Sequence, residues 1–343
     1  MDSRRAWHAV LGLMLTLCLG LFAIFLYGEL GTSIRAEGPQ SVTVRRGESL
    51  TALANRLHQE GLLEDPQYFR FLAVLRGDSR RVKAGEFVVE GKVSPSALID
   101  DLVHGDSRLW RFTIPEGYSL REIAGKLERE GKADAEKFLR LARDPDFIAG
   151  LQLPIAPPRP TLEGYIFPET YHFSAGTGEA ELVRKMVKAF RERAAPALQQ
   201  KAAAAGLNPY QVLVLASIIE KETGAPGERG LISSVFHNRL KQGMRLYSDP
   251  TVIYGLERFD GNLTRKNLES DSPYNTYRTN GLPPTPIANP GLESVLAALE
   301  PVQSDYLYFV AKGDGTHHFS KTYKAHSQAV WFYQKFPHMK RRS

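Results

Sequence analysis

Residues 212–219, VLVLASII, constrain this chain more than any other stretch. As a helix they are apolar around the whole circumference, so the helix has to be enclosed on every side. A chain of 343 residues with 43% hydrophobic and 24% charged residues can build such a shell. Asn208 is placed to cap the helix and Pro209 to open it, which predicts a buried helix over 210–223. It ends on Glu220-Lys221-Glu222-Thr223 and breaks at Gly224-Ala225-Pro226-Gly227.

Two residues apart on a helix, Glu220 and Glu222 point about 200° away from each other and cannot act as a carboxylate pair. Glu220 shares a stripe with Leu213, Ala216 and Ser217, and Glu222 lies beside Leu215, Ile218 and Ile219. A carboxylate at a helix C-terminus faces the unfavourable end of the dipole, and apolar surroundings raise its pKa further. The expectation is a carboxylic acid still protonated near neutral pH, the form a general acid needs. The alternative is a surface helix end with either glutamate paired to Lys221 or Arg229.

Residues 7–27 carry no charge and are long enough to span a bilayer, with Trp7 and Tyr27 at the two ends. Arg4 and Arg5 precede the segment and Glu29 follows it. We expect a cytoplasmic tail over 1–6, a single transmembrane helix over 7–27, a linker over 28–40, and everything beyond exported. A cleaved signal is the alternative, disfavoured by length and by the lack of an A-x-A-like site. Cys18 is the only cysteine, which removes disulfides, Cys-based zinc sites and thiol nucleophiles from the exported part. The net charge of +6 is dispersed among acids, which speaks for a solvated surface and against nucleic acid as a partner.

Residues 43–61 and 113–131 align without gaps at an offset of 70, with eight identities that include Gly47/Gly117, Ser49/Ser119 and Leu57/Leu127. Each copy reads as a strand, a glycine turn, a serine-capped helix and a terminal glycine. The fold class is therefore α+β, with a small module over 41–108 and a larger domain over 109–343. We read 179–207 as one long amphipathic helix.

Several stretches have the residue types of a carbohydrate groove. Residues 161–173 alternate acids and rings (Glu163, Tyr165, Glu169, Tyr171) on what reads as an extended segment. Residues 236–256 hold Asn238 and a turn at Ser248-Asp249-Pro250-Thr251. Residues 271–291 form a loop with five prolines, Tyr274, Asn275 and Tyr277, too long and polar to be filler. His317, His318 and His326 lack a metal-ligand spacing and are read as structural.

LEGYIFPETY, ASIIEKET, SVFHNRLKQGMRLYSDPTVIYG, SPYNTYRTNGLPPTPIANPG and YLYFVAKGDGTHHFS occur in that order. Together they resemble the endolytic murein transglycosylase (YceG-like) family over about residue 110 to the end. The segment around TVRRGESLTALA resembles the opening of LysM domains, which bind glycans containing N-acetylglucosamine. The resemblance implies cleavage of the MurNAc–GlcNAc β-1,4 bond within peptidoglycan strands to give 1,6-anhydroMurNAc ends, terminating nascent strand elongation. It makes Glu220 the catalytic acid and Glu222 the lesser candidate, and implies contact with peptidoglycan synthases. No metal or cofactor is required. For substrate binding, residue type and loop position nominate Glu163, Asn238, Asp249, Thr251, Tyr274, Asn275 and Tyr277. The rivals are a hydrolytic muramidase, with Glu163 or Asp249 as second carboxylate, and a membrane-anchored glycan-binding scaffold without catalysis.

Overall fold

The computed structural model describes residues 7–8, 12–20, 22–23, 25, 34–105, 109–174 and 177–336. Of the expected membrane segment, residues 9–11, 21, 24 and 26–27 lie outside the described residues, as does the tail 1–6; the rest is helical, with Leu13, Met14, Leu17 and Phe22 exposed. Among the described residues no single helix is long and apolar enough to cross a membrane.

The chain divides into two compact units, residues 1–111 with 172–178, and residues 112–171 with 179–343. In the first, β1 (Ile34–Val44) pairs antiparallel with β2 (Gly85–Val93). Between them lie α1 (Leu50–Gln59) and α2 (Pro66–Leu75), and α3 (Pro95–His104) follows. Val42, Val44, Leu53, Leu57, Phe69, Phe87, Leu98 and Leu102 close one core. The chain passes between the units along β3 (Leu109–Thr113) and β4 (Thr170–Ser174), which form a two-stranded ribbon.

Both copies of the internal echo take the same form. Gly47 and Gly117 adopt φ of +77° and +75°, a region that costs a residue with a Cβ, and each turn delivers a serine cap. Ser49 caps α1, and Ser119 caps α4 (Leu120–Arg129) in a reciprocal capping box with Glu122.

In the second unit α5 (Ala135–Leu141) and α6 (Pro145–Gly150) follow α4. The long helix expected over 179–207 is broken into α7 (Glu179–Arg193), α8 (Ala195–Lys201) and a 3-10 turn. Pro196 explains the break, since it lacks the N–H that a continuing helix would use. The unit is organised around α9 (Pro209–Glu222), whose residues 212–219 are all buried. Asn208 caps α9 in a capping box with Gln211. Its shell includes α8, α10 (Arg229–Lys241), α11 (Asp249–Tyr254) and α13 (Leu292–Leu299), with the short α12 (Arg265–Leu268) ahead of the proline-rich loop. The hairpin of β5 (Tyr308–Ala311) and β6 (His317–Ser320) and then α14 (Tyr323–Val330) complete it.

Candidate active site

The C-terminal turn of α9 sends its two carboxylates to different surroundings. Ser217 Oγ donates to Val214 O (2.7 Å) and accepts from Ile287 N (3.0 Å), pinning the proline-rich loop to the helix. One turn on, the Glu220 side chain is only 8% exposed, and its Oε2 accepts the Gly291 N–H at 2.9 Å. Gly291 is the N-cap of α13, so the carboxylate meets the positive end of a second helix. Arg229 Nη2 lies 3.9 Å from Oε1. Lys221 Nζ donates to Gly117 O at 3.1 Å, drawing the 116–118 turn over the helix end.

That turn brings in Glu116. A Cβ on Gly291 would lie 1.9 Å from Glu116 Oε1, so the glycine makes room for a carboxyl resting on its Cα. With the Gly291 N–H bonded to Glu220, the two carboxyls come within about 7 Å of each other. Burial, Glu220 and Glu293 push the Glu116 pKa up, and Arg229 pulls it down. The apolar setting expected for Glu220 is thus corrected: its tip sits among a backbone N–H, a guanidinium and a second carboxyl.

The apolar enclosure surrounds Glu222 instead. Burial pushes this carboxyl up to about 7, against the bond from Ser248 Oγ to its Oε1 (2.6 Å), with Asp249 pushing up and Arg239 pulling down. It lines a cavity of about 670 Å³ with Arg239, Met244, Tyr247, Asp249, Tyr277 and Tyr308.

Of the groove residues nominated from sequence, Asp249 and Tyr277 meet at this cavity, with Tyr277 Oη donating to Asp249 Oδ1 at 2.6 Å. The others turn inward. Glu163 is buried, accepting from Leu120 N (3.0 Å), Tyr254 Oη (2.9 Å) and Asn289 Nδ2 (3.1 Å). Thr251 is buried, its Oγ1 bonded to Ser248 O (2.7 Å) and Thr276 Oγ1 (2.8 Å). Asn275 is buried and donates to Leu268 O and Ser270 O. Asn238 donates to Ser304 O and Tyr306 O, and Tyr274 Oη meets Thr285 Oγ1 at 2.8 Å.

The extended ridge expected over 161–173 is also corrected: only its end is strand, and Glu163, Tyr165 and Tyr171 are buried. Rings and acids in alternation suit a buried, hydrogen-bonded turn as well as an open groove.

Sequence reasoning missed Glu116, Gly291, Arg239, Tyr247 and Tyr308. For Glu116 a signal was present, because the aligned position in the first copy of the echo is Arg46. Among the described residues no group of three or more His, Cys, Asp or Glu could hold a metal ion. His317 instead donates its backbone N–H to Glu228 and places Nδ1 2.8 Å from Glu228 Oε2.

A sequence model of the YceG-like family matches residues 42–331. The endolytic murein transglycosylase of Bacillus subtilis (strain 168) is 32% identical over 323 residues, covering 89% of this chain and 88% of that protein. The endolytic murein transglycosylase of Streptococcus pneumoniae serotype 2 is 29% identical over 318 residues, covering 84% of this chain and 57% of the longer relative. A crystal structure of a YceG-like protein from Listeria monocytogenes superposes with a TM-score of 0.59 at 32% identity, covering 85% of this chain and 99% of that one.

Proposed function

The chain belongs to the YceG-like family, and we propose that it is an endolytic peptidoglycan lytic transglycosylase with Glu220 as its acid and base. The observation that carries the assignment is the fixing of Glu220 at the end of a fully enclosed helix, with Oε2 on the Gly291 N–H and Oε1 turned toward Arg229. Protonated Glu220 gives its proton to the glycosidic oxygen as the C1–O bond breaks. The resulting carboxylate takes the proton of the muramic acid C6 hydroxyl, whose oxygen closes on C1. The product is a 1,6-anhydro end, and no water is consumed. Acid–base chemistry contributes about two to four orders of magnitude, so positioning of the strand supplies the rest.

The uncharged run 7–27 between Arg4-Arg5 and Glu29 supports a single-pass anchor in the cytoplasmic membrane, with the N-terminus inside and the catalytic unit on the periplasmic side. The strand–turn–helix opening of the first unit supports a LysM-like, glycan-binding role for residues 41–108. Membrane-anchored peptidoglycan synthases fit as partners, since they supply nascent strands beside such an anchor.

A second reading, hydrolysis by a muramidase, has one observation behind it. Glu116 places a second carboxyl within about 7 Å of Glu220, the partner group that a hydrolytic mechanism needs. Digesting purified sacculi with the detergent-solubilised full chain, and with Glu220→Gln, separates the readings by mass spectrometry. Anhydro ends that vanish in the variant support the transglycosylase. Reducing ends would establish hydrolysis, and intact sacculi with retained binding would leave only the scaffold.

A further inference from the structure

The cavity beside Glu222 is walled by side chains that the reaction at Glu220 does not use. Tyr247 is one of two non-glycine residues at positive φ among those described, at +47°, with Gln152 the other. Backbone in that region costs of order 1–3 kcal/mol and persists where surrounding structure enforces it. Here it turns out a ring that stays 45% exposed. The Tyr247 ring stands edge-on to Tyr277 at 5.5 Å, and the buried Arg239 guanidinium lies 5.8 Å from it and 5.6 Å from the Tyr308 ring. One buried cation therefore fixes two aromatic rings of the cavity wall.

The charges in the wall are answered within the protein. Arg239 donates to Leu307 O and Leu246 O, Asp249 accepts from Tyr277, Glu222 accepts from Ser248, and His317 meets Glu228. A charged ligand finds little uncompensated field here. A neutral ligand with apolar faces and many hydroxyls finds ring surfaces, carboxylate lone pairs on exposed Asp249, and apolar Met244 and Val310 for a methyl group. The volume of about 670 Å³ lies within the ordinary range for small-ligand sites.

We propose that this cavity is a sugar subsite binding an N-acetylated amino-sugar segment of the glycan strand, with Tyr247 as its stacking platform and Tyr308, itself stacked on His326 at 5.2 Å, as part of its wall. The proposal rests on the reading of the chain as a peptidoglycan enzyme. Glu222 at the cavity and Glu220 are two positions apart on the same helix end, facing opposite sides of it, so the subsite adjoins the turn that carries the proposed acid.

The test is isothermal titration of chitotetraose into full-length Glu220→Gln protein, and into the same protein carrying Tyr247→Gly or Tyr308→Ala. Glycine suits the positive φ, so Tyr247→Gly removes the ring without adding backbone strain, and a cooperative Tm measured in parallel shows that the fold is kept. Each ring loss should raise Kd about tenfold. An unchanged Kd in both variants overturns the proposal, as does failure of Glu220→Gln to bind the tetraose, or its displacement by free stem peptide. Loss of binding in the tyrosine variants alongside wild-type protein that leaves sacculi intact would uphold the subsite and sink the enzyme reading. Cleavage with an unchanged Kd would sink the subsite alone.

Discussion

Replacing Glu163 with glutamine should change how stability depends on pH, and the structure sets both sign and size. Glu163 is buried, and every partner it has is a donor: the Leu120 N–H, the Tyr254 hydroxyl and the Asn289 amide. Burial pushes its pKa up to about 7, with Glu122 adding to the rise while Tyr254, the Leu120 N–H and Arg143 pull it down. The folded protein therefore holds this proton more tightly than the unfolded chain, whose carboxyl titrates near 4.5. Stability from this group is fully present below the unfolded pKa and is lost as pH rises through about 7. The shift corresponds to about 3 kcal/mol.

Glutamine does not titrate, but it turns an amide against donors and loses an acceptor, which costs about 1–3 kcal/mol. Glu163→Gln should therefore be less stable than wild type at pH 5, and the deficit should shrink by about 3 kcal/mol by pH 8. Other titrating groups, Glu222 among them, are common to both proteins and cancel in the difference. For a unit of this size the change amounts to about 6–12 °C in the Tm difference, readable by calorimetry. Parallel Tm profiles from pH 5 to 8 would refute the argument that Glu163 is a buried structural acid.

Three further substitutions probe the same unit. Asn289→Ala removes the acceptor shared by Gly164 N and Ile166 N (both 2.9 Å) together with donors to Tyr118 O and Glu163; denaturant unfolding should show a loss of about 3 kcal/mol or more. Gly164→Ala forces a Cβ at φ +89° to within 2.7 Å of the Pro286 ring, and the same assay should show at least 2 kcal/mol lost, about the cost of such a conformation alone. Ser248→Ala deletes the hydrogen bond that lowers the Glu222 pKa, so the Glu222 carboxyl, followed by carbon-13 NMR, should titrate higher than in wild type.

The enclosed helix was legible because both of its signals are local: an apolar circumference, and an Asn-Pro start that satisfies the first N–H groups. The two echoed strand–turn–helix units were legible for the same reason, each glycine and serine acting within a few residues. The groove was not. Asn238, Thr251 and Asn275 have the side chains a sugar site needs, but the same donors also satisfy buried carbonyls, and the choice depends on partners as distant in sequence as Ser304 and Tyr306. The Glu116 difference between the two echoed copies is visible in sequence, but not its use, since Glu116 reaches Glu220 only through a turn 104 residues upstream that Lys221 ties down.

The two-residue spacing of Glu220 and Glu222 accounts for the layout of the site. A rotation of about 200° puts one carboxylate on the Gly291 and Glu116 side and the other in the aromatic cavity. The division is repeated across the Gly-Ala-Pro-Gly break, where Glu228 holds His317 at the cavity and Arg229 turns to Glu220. The break itself is fixed by close approach, because a Cβ on Gly224 would lie 2.6 Å from the Gly315 carbonyl oxygen of the β5–β6 turn. Under the proposed function, one short helix end carries both the carboxylate for proton transfer and, on its other side, the proposed sugar-holding surface. A single general acid needs that arrangement, since most of its rate advantage has to come from how the strand is held.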